Sequence, residues 1–270
     1  EYYVGQALES RSNPEAQSRA ERHRKRGKYR TIDSYRSLFS AARDESYRGE
    51  SSHYLYQPDV SEIIARECPD ARVIVSLRNP VERLHSEYLY NVRWYKESSF
   101  KRWYRKQCEV DGNGRITALS PGSKIAKGQY ARLLPPWVNA FGREQMYLVL
   151  FDHFKANSAR MVSDIFAWLG VDPAFSPTPV HAEKGGVCKH IGWKAILASR
   201  SVWWKPAKIL LGRQLRMRLR NLLFPIAFQR PVMPEESRRS LVDFYRADVQ
   251  YVEELLSVDL THWDNGHNCT

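Results

Sequence analysis

An arginine and a serine, spaced so that both could reach one anion, are the first chemistry-bearing feature of this sequence. Arg78 follows an apolar run at residues 72–77, and Ser86 lies eight residues later, about two turns into a predicted helix. A guanidinium offers a fixed fork of donors to a phosphate, and a serine hydroxyl can donate one more bond. The N-terminal amides of the helix are expected to add partial positive charge. A structural ion pair at Arg78, with Ser86 simply exposed, fits the spacing equally well.

Two further segments concentrate positive charge. In residues 181–190, the set Lys184, Gly185 and Lys189 would allow close backbone approach and cationic contact to a phosphate or an adenine ring, although an exposed basic loop has the same composition. Residues 203–230 mix cations with tryptophans and leucines, which favours an amphipathic helix packed on the domain. The alternatives for that stretch are docking of an acidic polysaccharide or peripheral contact with an anionic surface such as a membrane.

The overall composition bounds the class of protein. The formal net charge of +12 favours anionic partners, namely nucleic acid, anionic membrane, acidic glycan or a phosphate-rich cofactor. A hydrophobic fraction of 43% and a charged fraction of 27% are ordinary for a globular protein and exclude collagen-like repeats. The 4 cysteines include no Cys-x-x-Cys pair, so we expect neither a zinc site nor a disulfide-built fold, whereas one ordinary disulfide stays open.

The elements that must position Arg78 and Ser86 are a strand and the helix after it. Residues 72–77 are β-branched and nearly continuous in apolar character, which predicts a strand buried on both faces. Pro80 suits the first turn of a helix, which is predicted to extend to about Tyr95. Residues 146–151 predict a second buried strand.

The remaining segments complete an α/β pattern. Helices are predicted at residues 33–44, 59–67, 127–141, 155–169 and 234–256. Residues 96–123 are predicted to form an insertion or lid, with a plain turn at 111–114. Strands that alternate with helices indicate a three-layer α/β fold whose mostly parallel sheet is flanked by helices. No linker is evident, so we predict a single domain at 1–264 and a tail at 265–270.

Four segments, in order along the chain, together resemble one family. Residues 78–88 resemble the 3′-phosphate-binding element of sulfotransferases that use 3′-phosphoadenosine 5′-phosphosulfate (PAPS). Residues 49–55 resemble the Gly-Glu-x-Ser-Pro-x-Tyr-Leu segment of that family, shortened by one residue and without its proline. Residues 127–151 resemble its Gly-x-Tyr…Trp…Phe…Gln block, and residues 255–263 resemble its usual C-terminal ending. The set is most similar to the carbohydrate-acting branch, which includes heparan-type enzymes and bacterial relatives.

The resemblance implies a fold, a donor and a reaction. The fold would be the P-loop NTPase-like sulfotransferase fold, and PAPS would be the co-substrate, with no metal. Arg78 and Ser86 would hold its 3′-phosphate. A hydroxyl or amine of a carbohydrate acceptor would attack the sulfur in line, with a carboxylate as general base, and the protein would mainly position groups and stabilise charge.

The resemblance also suggests which residues face the acceptor. Glu1 falls at or beside the position of the catalytic glutamate in the glycan branch, and Glu50 is the second choice for the base. Glu1 could equally be a terminal residue of an edge strand, and Glu50 a paired turn carboxylate. His53 and Tyr54 are expected to contact the acceptor, and His53 and His85 rank below the glutamates as base candidates because a lone histidine is more often structural.

One departure from the family keeps other functions open. The 5′-phosphosulfate loop, a strand followed by a Lys-x-Gly-Thr-type turn, has no match in residues 1–270, so we expect it to precede Glu1 in a longer chain. The alternative from another class is a non-catalytic basic module that binds polyanions, either acidic glycan or nucleic acid; the enzyme itself is not expected to bind nucleic acid. A kinase on the same fold would need a nucleoside-triphosphate loop, which the sequence does not display.

The cysteine usage favours a bacterial cytoplasmic enzyme over a Golgi lumenal domain.

Overall fold

The computed structural model describes residues 36–43, 47–49, 51–57, 59–95, 99–175 and 231–264, together with the backbone of residues 187–188 and 228–229. The strands in these ranges are β1 (Val73–Leu77), β2 (Cys108–Val110), β3 (Ile116–Leu119), β4 (Met146–Leu150), β5 (Val187–Cys188) and β6 (Phe228–Gln229). The α-helices are α1 (Asp59–Glu67), α2 (Pro80–Tyr95), α3 (Phe100–Arg105), α4 (Tyr130–Leu133), α5 (Pro135–Phe141), α6 (Phe151–Ala156), α7 (Ser158–Leu169) and α8 (Glu235–Leu256). Short 3₁₀ turns lie at Ser37–Phe39, Tyr54–Tyr56, Ile125–Gly128 and Thr261–Trp263.

The centre of the described fold is the parallel pair formed by β1 and β4. Val73 lies opposite Met146, and the register continues to Leu77 opposite Leu150, so both strands end at the same edge. The two other pairs, β2 with β3 and β5 with β6, are antiparallel. Parallel strands flanked by helices agree with the predicted α/β class, and no helix in the described ranges is long and apolar enough to cross a bilayer.

Strand β1 differs from its prediction in one respect. Val75 and Leu77 are buried, but Ile74 is 47% exposed and Ser76 is exposed as well. Side chains alternate between the two faces of a strand, and only the face that carries Val75 and Leu77 packs into a core. The prediction that this strand is buried on both faces was therefore wrong.

Two hydrophobic clusters stabilise the fold, and α8 contributes to both. The first cluster joins Leu84 and Tyr88 of α2 to the aromatic side chains of α3 and to Tyr245 of α8. The second joins β1 and β4 to α4, α5 and the C-terminal turn. Its α8 members are Val249 and Val252. A single helix thereby fixes the two clusters relative to each other.

Two helices predicted as continuous are interrupted, each for a local reason. The segment predicted as a helix at 127–141 is a 3₁₀ turn followed by α4 and α5, and Pro135 begins α5 because a proline has no N–H to continue the helix from α4. The segment predicted at 155–169 divides at Asn157, whose extended backbone ends α6 and whose side chain caps α7 by accepting from Arg160 N at 3.0 Å.

Two other segments add detail to their predictions. Within the predicted helix at 33–44, Arg36 is helical and Ser37–Phe39 form a 3₁₀ turn, but the helix does not continue through residues 40–43. The insertion predicted at 96–123 is an ordered helix and hairpin, namely α3, β2 and β3, whose aromatic side chains belong to the first core cluster. Its turn at 111–114 is confirmed, since Asp111 Oδ1 accepts from the backbone amides of Asn113 and Arg115.

Asp248 of α8 is a carboxylate buried between helices. Asp248 is 6% exposed, and its Oδ1 accepts a hydrogen bond from Ala131 N of α4 at 2.9 Å. Burial raises the pKa of this carboxyl from 3.8 to about 6, although the Ala131 hydrogen bond and the nearby Arg132 act in the opposite direction. The folded protein thus holds a proton on Asp248 at pH values where the unfolded chain has released it.

We therefore expect the contribution of Asp248 to stability to fall as the pH rises from about 4 to about 6, because its carboxyl holds a proton in the folded state that the unfolded chain releases in that window. Asp248→Asn keeps an acceptor for Ala131 N and carries no charge. It should be more stable than wild type by roughly 1–3 kcal/mol near pH 8, with the difference vanishing near pH 4. Urea unfolding across this range tests the prediction, with the exposed Asp243→Asn as control. A difference that does not change with pH would contradict it.

Gly128 lies where two elements approach closely. A Cβ at this position would be 2.8 Å from Tyr245 Cε1 and 2.9 Å from Pro80 Cβ. Both neighbours are buried, and Tyr245 Oη also donates to Ile125 O at 2.7 Å, so the ring cannot easily move away. Only glycine allows the 3₁₀ turn Ile125–Gly128 to pack between the start of α2 and α8.

Gly128→Ala should accordingly destabilise the fold by about 1–3 kcal/mol through overpacking. The matched control is Gly112→Ala in the exposed turn, where an added Cβ would meet nothing within 4 Å. Denaturant midpoints of the two variants give the comparison. Equal midpoints would show that the contact around Gly128 relaxes without cost.

Candidate functional site

The backbone of Arg78 is fixed by a buried tyrosine. Arg78 directly follows β1, and Tyr130 Oη donates to Arg78 O at 2.8 Å while the Arg78 amide lies 3.4 Å from the same hydroxyl. Tyr130 is 2% exposed, and its burial raises the pKa of the phenol to about 12, so it stays a neutral donor. The sequence analysis did not identify this polar role of Tyr130.

The guanidinium of Arg78 lies over the carboxyl edge of the parallel pair. Its Cζ is 4.9 Å from the ring centroid of Phe151, the first residue after β4. Arg78 Nη2 is 3.9 Å from Glu82 Oε2, which is longer than a hydrogen bond, and the side chain is 31% exposed. In open α/β sheets, ligands bind beyond the carboxyl ends of the strands. Arg78 therefore stands at such a position with a partly exposed side chain.

The amides at the start of α2 are already used by the protein. Asn79 Oδ1 accepts from Val81 N at 2.9 Å and from Glu82 N at 3.2 Å, and Pro80 has no N–H. These two amides are therefore not free to donate to an anion, whereas the partial positive charge expected at the start of the helix stays a prediction. Asparagine before proline is a recognisable N-cap signal that the sequence analysis did not use.

Asn79 also holds the C-terminal turn. Its Nδ2 donates to Trp263 O at 2.7 Å across 184 residues of sequence, and Asn79 is only 6% exposed. Trp263 Nε1 in turn donates to Asp152 Oδ2 at 2.7 Å, just after β4. The ends of both parallel strands are thus connected through one turn.

Ser86 is exposed on α2, four residues beyond Glu82. Residues four apart lie on the same face of a helix, about 6 Å along its axis. Glu82 in turn contacts Arg78, which precedes the cap of α2. Ser86 therefore lies on the face of α2 that carries the carboxylate next to Arg78, and joint phosphate binding by Arg78 and Ser86 stays a prediction.

Arg83, the second arginine in residues 78–88, has a structural role. Arg83 donates to Glu87 Oε2 at 2.7 Å and to Lys124 O at 2.6 Å, and Glu87 also pairs with Lys127 at 3.2 Å. The ammonium of Lys127 lies 4.8 Å from the ring centroid of Tyr56. This network of ion pairs joins α2 to the 3₁₀ turns at Tyr54–Tyr56 and Ile125–Gly128.

The other predicted site residues divide into two groups. His53 is exposed with its ring 6.0 Å from that of Tyr56, whereas Tyr54 is half-buried against the second core cluster. His85 Nε2 donates to Pro231 O at 2.8 Å, and burial lowers the pKa of this imidazole, which is consistent with the structural role preferred for it. The remaining candidates lie outside the described residues: Glu1, Glu50, Lys184, Gly185 and Lys189.

The comparisons with known proteins decide the family. Residues 7–183, more than half of the chain, match the family described as the Sulfotransferase domain. The chain belongs to the sulfotransferase family. The predicted membership of this family is therefore confirmed.

Individual relatives support the same assignment. The sulfotransferase chain is 26% identical over 119 residues to Carbohydrate sulfotransferase 15 of Mus musculus and likewise to that of Homo sapiens. Each match covers 39% of this chain and 21% of the relative, so the chain spans about a fifth of the length of these curated proteins. The crystal structure of a sulfotransferase from Alicyclobacillus acidocaldarius is similar with a TM-score of 0.60 and 26% identity, covering 87% of this chain and 74% of that one. The predicted sulfotransferase-type α/β fold is thus confirmed.

Replacement of Asn79 should cost more stability than the loss of an ordinary helix cap. Asn79→Ala removes the cap of α2 and leaves Trp263 O buried without its donor, so we expect a loss of about 2–4 kcal/mol. Asn79→Asp keeps the cap acceptor but faces Trp263 O with a second acceptor. The loss of unfolding free energy in Asn79→Asp should therefore be smaller than that in Asn79→Ala.

The matched control is Asn157→Ala, which removes an exposed cap with a single side-chain bond to Arg160 N. Its cost should be about 1 kcal/mol. Equilibrium unfolding of the three variants provides the measurement. If Asn79→Ala and Asn157→Ala were equally costly, the bond from Asn79 to the C-terminal turn would contribute nothing.

Proposed function

We propose that this protein transfers a sulfuryl group from PAPS to a hydroxyl or amine of a carbohydrate acceptor. The observation that carries the proposal is the partly exposed Arg78 side chain at the carboxyl edge of the sheet, with the exposed Ser86 on the helix that follows. The family assignment supports sulfuryl transfer, and the relatives named as carbohydrate sulfotransferases support the acceptor class.

The donor set fits the 3′-phosphate of PAPS. Arg78 is permanently charged and offers a planar fork of donors, and Ser86 offers a hydroxyl two turns into α2. Because Asn79 already accepts from Val81 N and Glu82 N, side chains rather than these amides would bind the phosphate oxygens. Tyr130 would keep the Arg78 backbone in place while the phosphate binds.

When bound, PAPS supplies a sulfuryl group activated by its bond to the 5′-phosphate. The residues of this chain bind and orient that donor through Arg78 and Ser86, and a carboxylate takes the proton of the acceptor hydroxyl. The bond from acceptor oxygen to sulfur forms as the bond from sulfur to phosphate oxygen breaks, and adenosine 3′,5′-bisphosphate leaves. We assign the proton to Glu1, with Glu50 as the second choice, and acceptor contact to His53 and Tyr54.

The glycine- and lysine-containing segment at 181–190 completes the proposal. Lys184 and Lys189 carry charge complementary to the nucleotide phosphates, and Gly185 permits a close backbone approach. We propose that this segment covers the bound nucleotide. No metal ion takes part in the proposed mechanism, since cationic side chains would stabilise the charge that spreads over the sulfuryl group.

The nucleotide site is tested by titration calorimetry of the full-length protein with adenosine 3′,5′-bisphosphate and, separately, adenosine 5′-monophosphate. Wild type should bind the bisphosphate at least about tenfold more tightly, because only it carries the 3′-phosphate. Arg78→Ala should weaken bisphosphate binding by about 10- to 100-fold and leave monophosphate binding unchanged, and Ser86→Ala should have a smaller effect in the same direction.

Arg72→Ala is the matched control, because Arg72 precedes β1 at the opposite end of the strand and binds Trp168 O instead. Its nucleotide affinities should equal those of wild type. Absence of any bisphosphate preference in the folded protein would overturn the proposal. Strongly salt-dependent binding of heparin without nucleotide affinity would instead favour a polyanion-binding module.

A further inference from the structure

Glu82 stands between two arginines that come from distant parts of the chain. Its Oε1 accepts from Arg238 Nη2 of α8 at 2.7 Å, across 156 residues of sequence. Its Oε2 lies 3.9 Å from Arg78 Nη2. The two contacts differ in kind, since the first is a charge-assisted hydrogen bond and the second is a longer electrostatic contact.

This asymmetry matters because Glu82 is a natural competitor for Arg78. A carboxylate four residues after an arginine near a helix start can reach the guanidinium and pair with it. A closely paired Arg78 would present less positive charge and fewer free donors to a phosphate. Glu82 instead directs its short hydrogen bond to Arg238, and the Arg78 guanidinium is left outside hydrogen-bond distance.

Arg238 is well placed to hold Glu82 firmly. Its side chain is 17% exposed and that of Glu82 is 26% exposed, so water screens their attraction less than that of a surface pair. The backbone around Arg238 is anchored by Ser240, whose hydroxyl accepts from Tyr104 Oη at 3.2 Å, and by the fully buried Leu241. The restraint on Glu82 therefore comes from a rigid helix.

A second feature indicates that Arg238 does more than stabilise its helix. Its Nη1 is buried, and no hydrogen-bond partner for this atom lies within the part of the chain that the structure describes. An unsatisfied donor costs free energy that an apolar side chain of similar length would not. A guanidinium kept at this position is thus better explained by its effect on Glu82 than by packing.

We propose that Arg238 is a positioning residue for the phosphate site: it binds Glu82 and thereby leaves the Arg78 guanidinium available to the 3′-phosphate. The inference rests on the proposed function of Arg78. In this arrangement Glu82 orients Arg78 by an electrostatic contact at 3.9 Å and does not occupy its donors with a short hydrogen bond. Removal of Arg238 would free Glu82 to pair closely with Arg78 and block the phosphate.

The test is a double-mutant cycle in the full-length protein, with adenosine 3′,5′-bisphosphate and adenosine 5′-monophosphate as probes. Arg238→Met keeps the length of the apolar stem. It should weaken bisphosphate binding by about tenfold and leave monophosphate binding unchanged, and Arg238→Met with Glu82→Gln should recover wild-type bisphosphate affinity to within about threefold. Glu82→Gln alone should bind the bisphosphate within about threefold of wild type, since no competing charge is left.

Arg239→Met is the matched control, because Arg239 is the next residue on α8 and pairs with the exposed Glu235. It should bind both nucleotides as wild type does.

The inference is overturned if Arg238→Met binds the bisphosphate normally, if it weakens the binding of both nucleotides equally, or if Glu82→Gln fails to rescue it. If Arg238→Met does not fold, a tenfold loss of bisphosphate affinity in Glu82→Gln alone would overturn it. A wild-type protein without bisphosphate preference would instead be a failure of the proposed function.

Discussion

The side chain of Asn79 is the constraint on which the candidate site depends. Its carbonyl oxygen caps α2, and its amide nitrogen holds the carbonyl of Trp263 in the C-terminal turn. Trp263 reaches Asp152 after β4, so one short chain of hydrogen bonds connects the ends of both parallel strands. Arg78 lies between β1 and this cap, and its backbone therefore has little freedom. A ligand that binds Arg78 would meet a group that is already ordered, which reduces the entropy lost on binding.

The same cap determines how an anion can be bound. At many helix N-termini, free backbone amides bind phosphate directly and fix its position. Here the amides of Val81 and Glu82 donate to Asn79, so recognition passes to side chains. A guanidinium at the end of a long side chain has more freedom than an amide and needs restraint from its neighbours. Tyr130 restrains the backbone of Arg78 and the ring of Phe151 lies beneath the guanidinium.

Local patterns in the sequence predicted much of the fold and some of the site. Pro80 predicted the start of α2, and the composition of residues 72–77 predicted β1. The same reasoning joined helices across Pro135 and Asn157, because periodicity continues through a break that only the backbone reveals. It also assigned two buried faces to β1, since an apolar run does not show which face a core covers.

The parts of the site that the sequence did not reveal depend on contacts between distant residues. The carboxylate of Glu82 looks like an ordinary first-turn residue until α8 brings Arg238 to it across 156 positions. Helix α8 can do so because its buried face belongs to both hydrophobic clusters, which sets its height and rotation against α2. Core packing thus decides the electrostatic environment of Arg78. A motif can identify the arginine that faces the ligand. The electrostatic environment of that arginine, however, is set by residues that lie outside the motif.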